Sequence, residues 1–204
     1  MTARRPAVAL ALAAALAIAC GPGGRNSRPA APEPEPSRAA PAPAAPEAPI
    51  EPLARKTVLL YFPSASAGSL VGEQREILRT GNPGDQAKQI LADLLAGPSG
   101  DAAVAAVPAG TRLRQIYVLG NGTAYADFSE ELRSAMEPGS DNEILTVYAI
   151  VNSVALNVPQ ILRVGILVEG KPCDTLNGHL DLRRPLPPDR DLLDRASDAG
   201  DTSV

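Results

Sequence analysis

Hydrophobic and polar positions change rhythm several times along this chain, and each rhythm predicts an element. Thr57-Val58-Leu59-Leu60-Tyr61-Phe62 is a continuous apolar run stopped by Pro63, the form of a buried strand. Residues 63–84 read as a long loop rich in Ser, Gly and Pro, within which Arg75-Glu76-Ile77-Leu78 fits an edge strand or one helical turn. Ala87, Ile90, Leu91, Leu94 and Leu95 then fall on one face of a helix, with Asp85 as the expected cap and Gly97-Pro98 as the stop. Leu113–Leu119 and Thr123–Phe128 flank Gly120-Asn121-Gly122, a connection whose residues tolerate the left-handed backbone of a hairpin turn. Ser129 opens a short helical segment that runs to Met136. Ser140 and Glu143 have capping-box spacing at the head of the longest helix, whose stripe is Ile144, Val147, Tyr148, Val151, Val154, Ala155 and Val158, ended by Pro159. Its β-branched residues are poor intrinsic helix formers, so this helix must draw its stability from tertiary burial. Leu162–Val168 completes the strands, Glu169-Gly170-Lys171-Pro172 turns, and Leu176, Leu180 and Leu182 mark a last apolar segment. The order β-α-β-β-α-β over residues 56–184 predicts a single α+β domain with helices packed on a mainly antiparallel sheet.

The pattern differs at both ends. Residues 1–19 have the form of an export signal: Arg4 and Arg5, then an apolar run from Ala7 to Ala19 that is too short to span a bilayer. Ala17-Ile18-Ala19-Cys20 resembles the lipobox of bacterial lipoproteins, with Ala17 where Leu is usual, and makes Cys20 the expected lipid attachment site. The same tripeptide also fits a plain Ala-x-Ala cleavage site. Residues 20–55 form a Pro/Ala-rich tether. Ten prolines lie between Gly21 and Leu53, interleaved with Glu33, Glu35, Glu47 and Glu51, and such a stretch has too little apolar bulk to offset its chain entropy. Fully extended at about 3.1 Å per residue, it would reach on the order of 100 Å. Residues 185–204, rich in Pro and then Asp, are expected to form a disordered acidic tail.

Composition narrows the chemistry. The 204 residues carry 19 Lys and Arg against 23 Asp and Glu, a net charge of −4, which leaves no cation excess for holding nucleic-acid phosphates. Aromatic residues make up 3% and Trp is absent, so a base-stacking platform is excluded. One histidine and two cysteines do not build a zinc site, and no cofactor is expected. A lipid-modified Cys20 cannot pair with Cys173, which would leave Cys173 as a free thiol.

Few residues are candidates for catalysis. Cys173 and His179 are close enough in sequence to form a thiol–imidazole pair, which needs a depressed thiol pKa. Cys173 follows Pro172 in a turn and His179 reads as a strand entry, so the plainer reading of both is structural. Asp127 and Glu130, with Glu131 beside them, resemble an acid/base carboxylate pair, but acids after Ser129 also suit the start of a helix. Gly97-Pro98-Ser99-Gly100 and Gly120-Asn121-Gly122 lack the Gly-Lys-Ser/Thr ending of a phosphate loop.

Val58-Leu59-Leu60-Tyr61-Phe62, Leu94-Leu95-Ala96-Gly97-Pro98, Val107-Pro108-Ala109-Gly110-Thr111, Ala124-Tyr125-Ala126-Asp127-Phe128-Ser129, the helix at Glu143 and Val164-Gly165-Ile166-Leu167-Val168-Glu169-Gly170 together resemble, in order and spacing, the GerMN domain of sporulation and spore germination. The resemblance implies a non-catalytic α+β module of bacterial envelope proteins, often carried on a lipoprotein and akin to ring-building modules of secretion-like complexes. The expected protein is a lipid-anchored envelope component facing away from the cytoplasm, whose domain meets an envelope protein or the cell wall through a sheet edge or helix face. The competing expectation is a peptidoglycan-directed hydrolase using Cys173/His179 or Asp127/Glu130. A small-ligand sensor is a third class, for which the sequence offers no pocket signature.

Overall fold

The computed structural model describes residues 54–194. The export signal, Cys20, nearly all of the tether and the last ten residues lie outside the described residues.

The elements in chain order are β1 (Arg55–Pro63), β2 (Leu70–Leu78), α1 (Pro83–Ala96), β3 (Leu113–Val118), β4 (Thr123–Phe128), α2 (Glu131–Ser134), α3 (Ser140–Ala155), β5 (Arg163–Val168) and β6 (Lys171–Pro172). β1 and β2 form an antiparallel two-stranded sheet, and the second sheet has the order β3-β4-β5-β6. In that sheet β4 and β5 run parallel, while the β3–β4 and β5–β6 pairs are antiparallel. The domain is therefore α+β, with helices packed against a mixed but mainly antiparallel strand arrangement. The parallel pair follows from connectivity: α2 and α3 lie between β4 and β5, and a helical crossover returns the chain to the end where β4 began.

α3 lies at the centre. Its buried residues include Leu145, Val147, Ala149, Ile150, Val151 and Val154, distributed around the whole helix rather than on one stripe. Ile144, Tyr148 and Ala155, expected in the core, are only half-buried. A helix buried all round must bring partners for its polar residues. Ser153 Oγ accepts the Tyr61 amide at 2.9 Å, and Asn157, just past the helix, accepts the Leu59 amide at 2.9 Å and donates to the Leu59 carbonyl at 2.7 Å. These side chains complete the edge of β1 that β2 does not reach.

Several local expectations are corrected. The residues expected to be mostly loop contain the full nine-residue β2, paired with β1 from Arg55↔Leu78 to Pro63↔Leu70. α1 is capped by Asn82, whose Oδ1 accepts from Gly84 N at 2.8 Å and Asp85 N at 3.4 Å, and Asp85 sits inside the first turn. Ser140 is the first residue of α3 rather than its cap, and its hydroxyl turns to Asp141. Glu143 closes no capping box, because its carboxylate points into the protein. Leu176, Leu180 and Leu182 belong to an irregular loop, with Leu176 and Leu182 buried. Residues 185–194 are not a detached tail: Leu186 exchanges two backbone hydrogen bonds with Val164, and Leu193 is buried beside β2.

Candidate functional site

The residues expected to carry chemistry cluster around the end of β4, the β5–β6 turn and the loop that follows. Asp127 is buried on β4, where its Oδ1 accepts from Gly170 N at 2.7 Å and its Oδ2 accepts from Arg114 Nη1 at 3.2 Å. Glu169 and Gly170 both adopt the left-handed backbone, φ 51° and 74°, which a two-residue antiparallel turn requires. Asp127 thus fixes a turn that is strained at Glu169. The Glu169 carboxylate accepts from Glu130 N at 3.1 Å and lies 3.4 Å from Arg114. Glu130 itself is held by Arg133, with its closest contact at 2.8 Å. The proposed acid/base pair is thereby divided: Asp127 holds backbone and a guanidinium, and Glu130 forms a surface ion pair one helical turn long.

Cys173 and His179 are also separated in role. Cys173 is half-buried, and burial pushes its thiol above the ordinary value of 9.0, with Arg133 opposing the shift and Asp174 and Glu143 adding to it. That is the direction opposite to an activated nucleophile. His179 is exposed, and among the described residues no hydrogen bond joins its ring to Cys173. What His179 contributes is its amide, which donates to Glu143 Oε2 at 2.8 Å, while Leu176 N donates to Glu143 Oε1 at 2.8 Å. Glu143 is fully buried, and its two backbone bonds pin the loop after β6 onto α3. Its Ser-x-x-Glu spacing pointed to a helix end, and nothing in the local sequence shows that it serves a loop more than thirty residues away.

The surface offers a different kind of site. β1 has its second edge closed by α3. On β2, Gln89 both donates to and accepts from Leu78, while Leu192 O and Asp194 N bond Leu70. β5 is closed by β6 and Leu186. β3 is the outermost strand of its sheet. Leu119 N bonds Thr123 O, so the alternation of an antiparallel ladder turns the N–H and C=O groups of Ile116 and Val118 outward. Among the described residues no partner meets them. Tyr117 and Leu119, at 48% and 46% exposure, lie along this strand.

Comparison with known proteins now places the chain. The Germane family, described as sporulation and spore germination, matches residues 59–174, more than half of the sequence. The chain belongs to the Germane family. Its matched span runs from β1 to the loop containing Cys173. The tandem GerMN domains of the sporulation protein GerM from Bacillus subtilis align with it at a TM-score of 0.55 and 21% identity, over 66% of this chain and 46% of that one, which shows a shared fold. The first GerMN domain of the same protein aligns at 0.49 and 21% identity, over 69% of this chain and 98% of that one. A proposed lipoprotein from Clostridium perfringens aligns at 0.46 and 24% identity, over 65% and 87%. No curated protein matches significantly. In this Germane domain Asp127 holds backbone and a guanidinium, Glu130 pairs with Arg133, and the half-buried Cys173 thiol is shifted away from activation.

Proposed function

We propose that the protein is a membrane-tethered envelope lipoprotein, anchored through Cys20, whose GerMN domain binds another envelope protein or the cell wall outside the cytoplasm. The observation that carries the reading is the β3 edge, where the outward N–H and C=O groups of Ile116 and Val118 meet no partner among the described residues. An open edge is a template on which an extended segment adds a strand, with main-chain bonds giving affinity and alternate side-chain positions giving selectivity. The signal-like residues 1–19, Cys20 and the tether support the anchored half of the reading, since a spacer lets one protein engage a membrane and a partner together.

The test uses the intact protein as bait in solubilised envelope and, separately, in sedimentation with purified cell wall. Ile116→Pro removes an outward N–H without breaking the bond ladder to β4, because proline is tolerated on an edge strand. Capture by the native protein and its loss in Ile116→Pro, with the fold retained by circular dichroism although Ile116 packs partly against the core, is the expected result. Capture unaffected by Ile116→Pro would overturn the edge as the contact. Cell-wall turnover abolished by Cys173→Ala or Glu130→Ala would replace the whole reading with the hydrolase.

A further inference from the structure

A pocket that shares no residue with the β3 edge lies where three segments meet. The chain after α1 is fixed to the end of β1: Ser64 pairs with Ala103, and Val104 N donates to Pro63 O at 2.9 Å. The turn between α2 and α3 is fixed by Asn142, whose Nδ2 donates to Pro138 O at 3.2 Å. Between these two segments and α3 is a pocket of about 260 Å³. Its apolar walls are Val104, Val107, Pro108, Met136 and Leu145, of which Val104 is the most open to solvent, at 48%. Hydrogen bonds hold both walls, so the pocket is formed before anything enters it and little further ordering is needed on binding.

Three side-chain oxygens in the lining have no donor. Thr146 is only 8% exposed, yet its hydroxyl makes no hydrogen bond among the described residues. A helical Thr commonly bonds back to the carbonyl four residues earlier, and a buried hydroxyl without a partner is costly, so this one is left to whatever fills the pocket. Asn142, one turn before it on the same face of α3, uses its amide N–H on Pro138 and keeps Oδ1 free. Glu137 supplies the single charge of the lining, and its carboxylate has no ion-pair partner among the described residues. No Lys, Arg or His lines the pocket.

We propose that this pocket receives a primary ammonium group on an aliphatic stem, in the form of a lysine side chain from a bound polypeptide. An ammonium has three N–H donors and no acceptor, which matches Thr146 Oγ1, Asn142 Oδ1 and the Glu137 carboxylate one for one. Its four-carbon stem covers apolar surface while its head meets polar groups, and Val104, Pro108 and Met136 provide that surface. A guanidinium would bring five donors to three acceptors, and an anion would face Glu137 with no cation to hold it. A volume below the roughly 300–1,000 Å³ of small-molecule sites suits one side chain rather than a whole ligand. The contact is separate from the β3 edge, so its failure leaves the edge reading standing.

The probe is n-butylamine, which carries the stem and head of lysine, followed through the amide shifts of isotopically labelled full-length protein. Its neutral and anionic counterparts are n-butanol and pentanoate. Butylamine should shift the Val104, Leu145 and Thr146 amides saturably, with n-butanol about tenfold weaker. Thr146→Val keeps the size and breaks no hydrogen bond of the fold, and it should weaken butylamine on the order of tenfold with the melt unchanged. Glu137→Gln should weaken butylamine about threefold and leave n-butanol as it was. Acetyl-lysine methylamide, which presents the same side chain from a backbone, should bind at least as tightly as butylamine. No saturable shift, equal binding of butylamine and n-butanol, or shifts that survive both substitutions overturns the proposal. Tighter binding of pentanoate overturns it and assigns the pocket to an anion. A lysine compound weaker than butylamine overturns the polypeptide source and assigns the pocket to a free amine.

Discussion

Replacing Asn157 with Ala removes one side chain that does the work of a neighbouring strand. Asn157 accepts the Leu59 amide, donates to the Leu59 carbonyl, and donates to the Ser153 carbonyl at 2.8 Å. Loss of three such bonds at about 1 kcal/mol net each, softened where water reaches the half-buried Leu59 groups, gives roughly 2–3 kcal/mol. Against a total stability of about 5–15 kcal/mol this is large. For a domain of this size it corresponds to a fall in Tm of roughly 6–12 °C. Thermal melting by circular dichroism measures the fall, and amide exchange at Leu59 and Tyr61 locates it: both amides should lose protection while the β3–β4 hairpin keeps its own. Asn157→Asp, which retains the acceptor for Leu59 N but not the donor, should fall between native and Ala. A Tm change below about 2 °C in Asn157→Ala would refute the idea that α3 closes β1.

Other perturbations have equally definite outcomes. Glu143→Ala deprives Leu176 N and His179 N of their acceptor, so it should cost about 2–3 kcal/mol in urea unfolding and open residues 174–184 to proteolysis. Val151 is fully buried in α3, and Val151→Asp should leave the protein mostly unfolded, seen as loss of a cooperative melt. The raised Cys173 thiol sets a pH dependence: the unfolded chain loses its thiol proton first, so the contribution is intact below about pH 9 and is lost as pH rises through the higher folded value. Cys173→Ala should therefore flatten the decline of the urea midpoint in alkaline solution.

How much of this was legible in the sequence depended on how local the cause was. β1, α1, the β3–β4 hairpin and β5 announce themselves through runs and turn residues within their own length. β2 does not, because Gly72-Glu73-Gln74-Arg75-Glu76 contains no buried side chain and only Leu70 and Ile77 face the core. Its existence is owed to pairing with β1. The inward turn of Glu143 and the edge-sealing by Ser153 and Asn157 join residues 33 to 98 positions apart, beyond any window in which periodicity or capping rules operate. The Pro-rich composition after Leu182 concealed Leu186 and Leu193, two apolar anchors separated by prolines and charges that resemble a linker. The roles of the two acids are set at the same range: Asp127 and Glu130 are close in sequence, but their hydrogen-bond partners come from β3, α2 and the β5–β6 turn.

The closure of β1 by α3 also governs the order in which the domain can assemble. Tyr61 and Leu59 wait for Ser153 and Asn157, contributed 92 and 98 residues later. A chain that emerges from its N-terminal end can make the β1–β2 hairpin early, yet that hairpin carries an unsatisfied edge next to Leu60 and Phe62 until α3 arrives. Contacts of such long range slow folding, because the intervening loop must close before they are gained. Until the residues through Asn157 have emerged, that edge of β1 has no partner from α3, and any factor that delays the second half lengthens the time during which it can pair with the wrong strand.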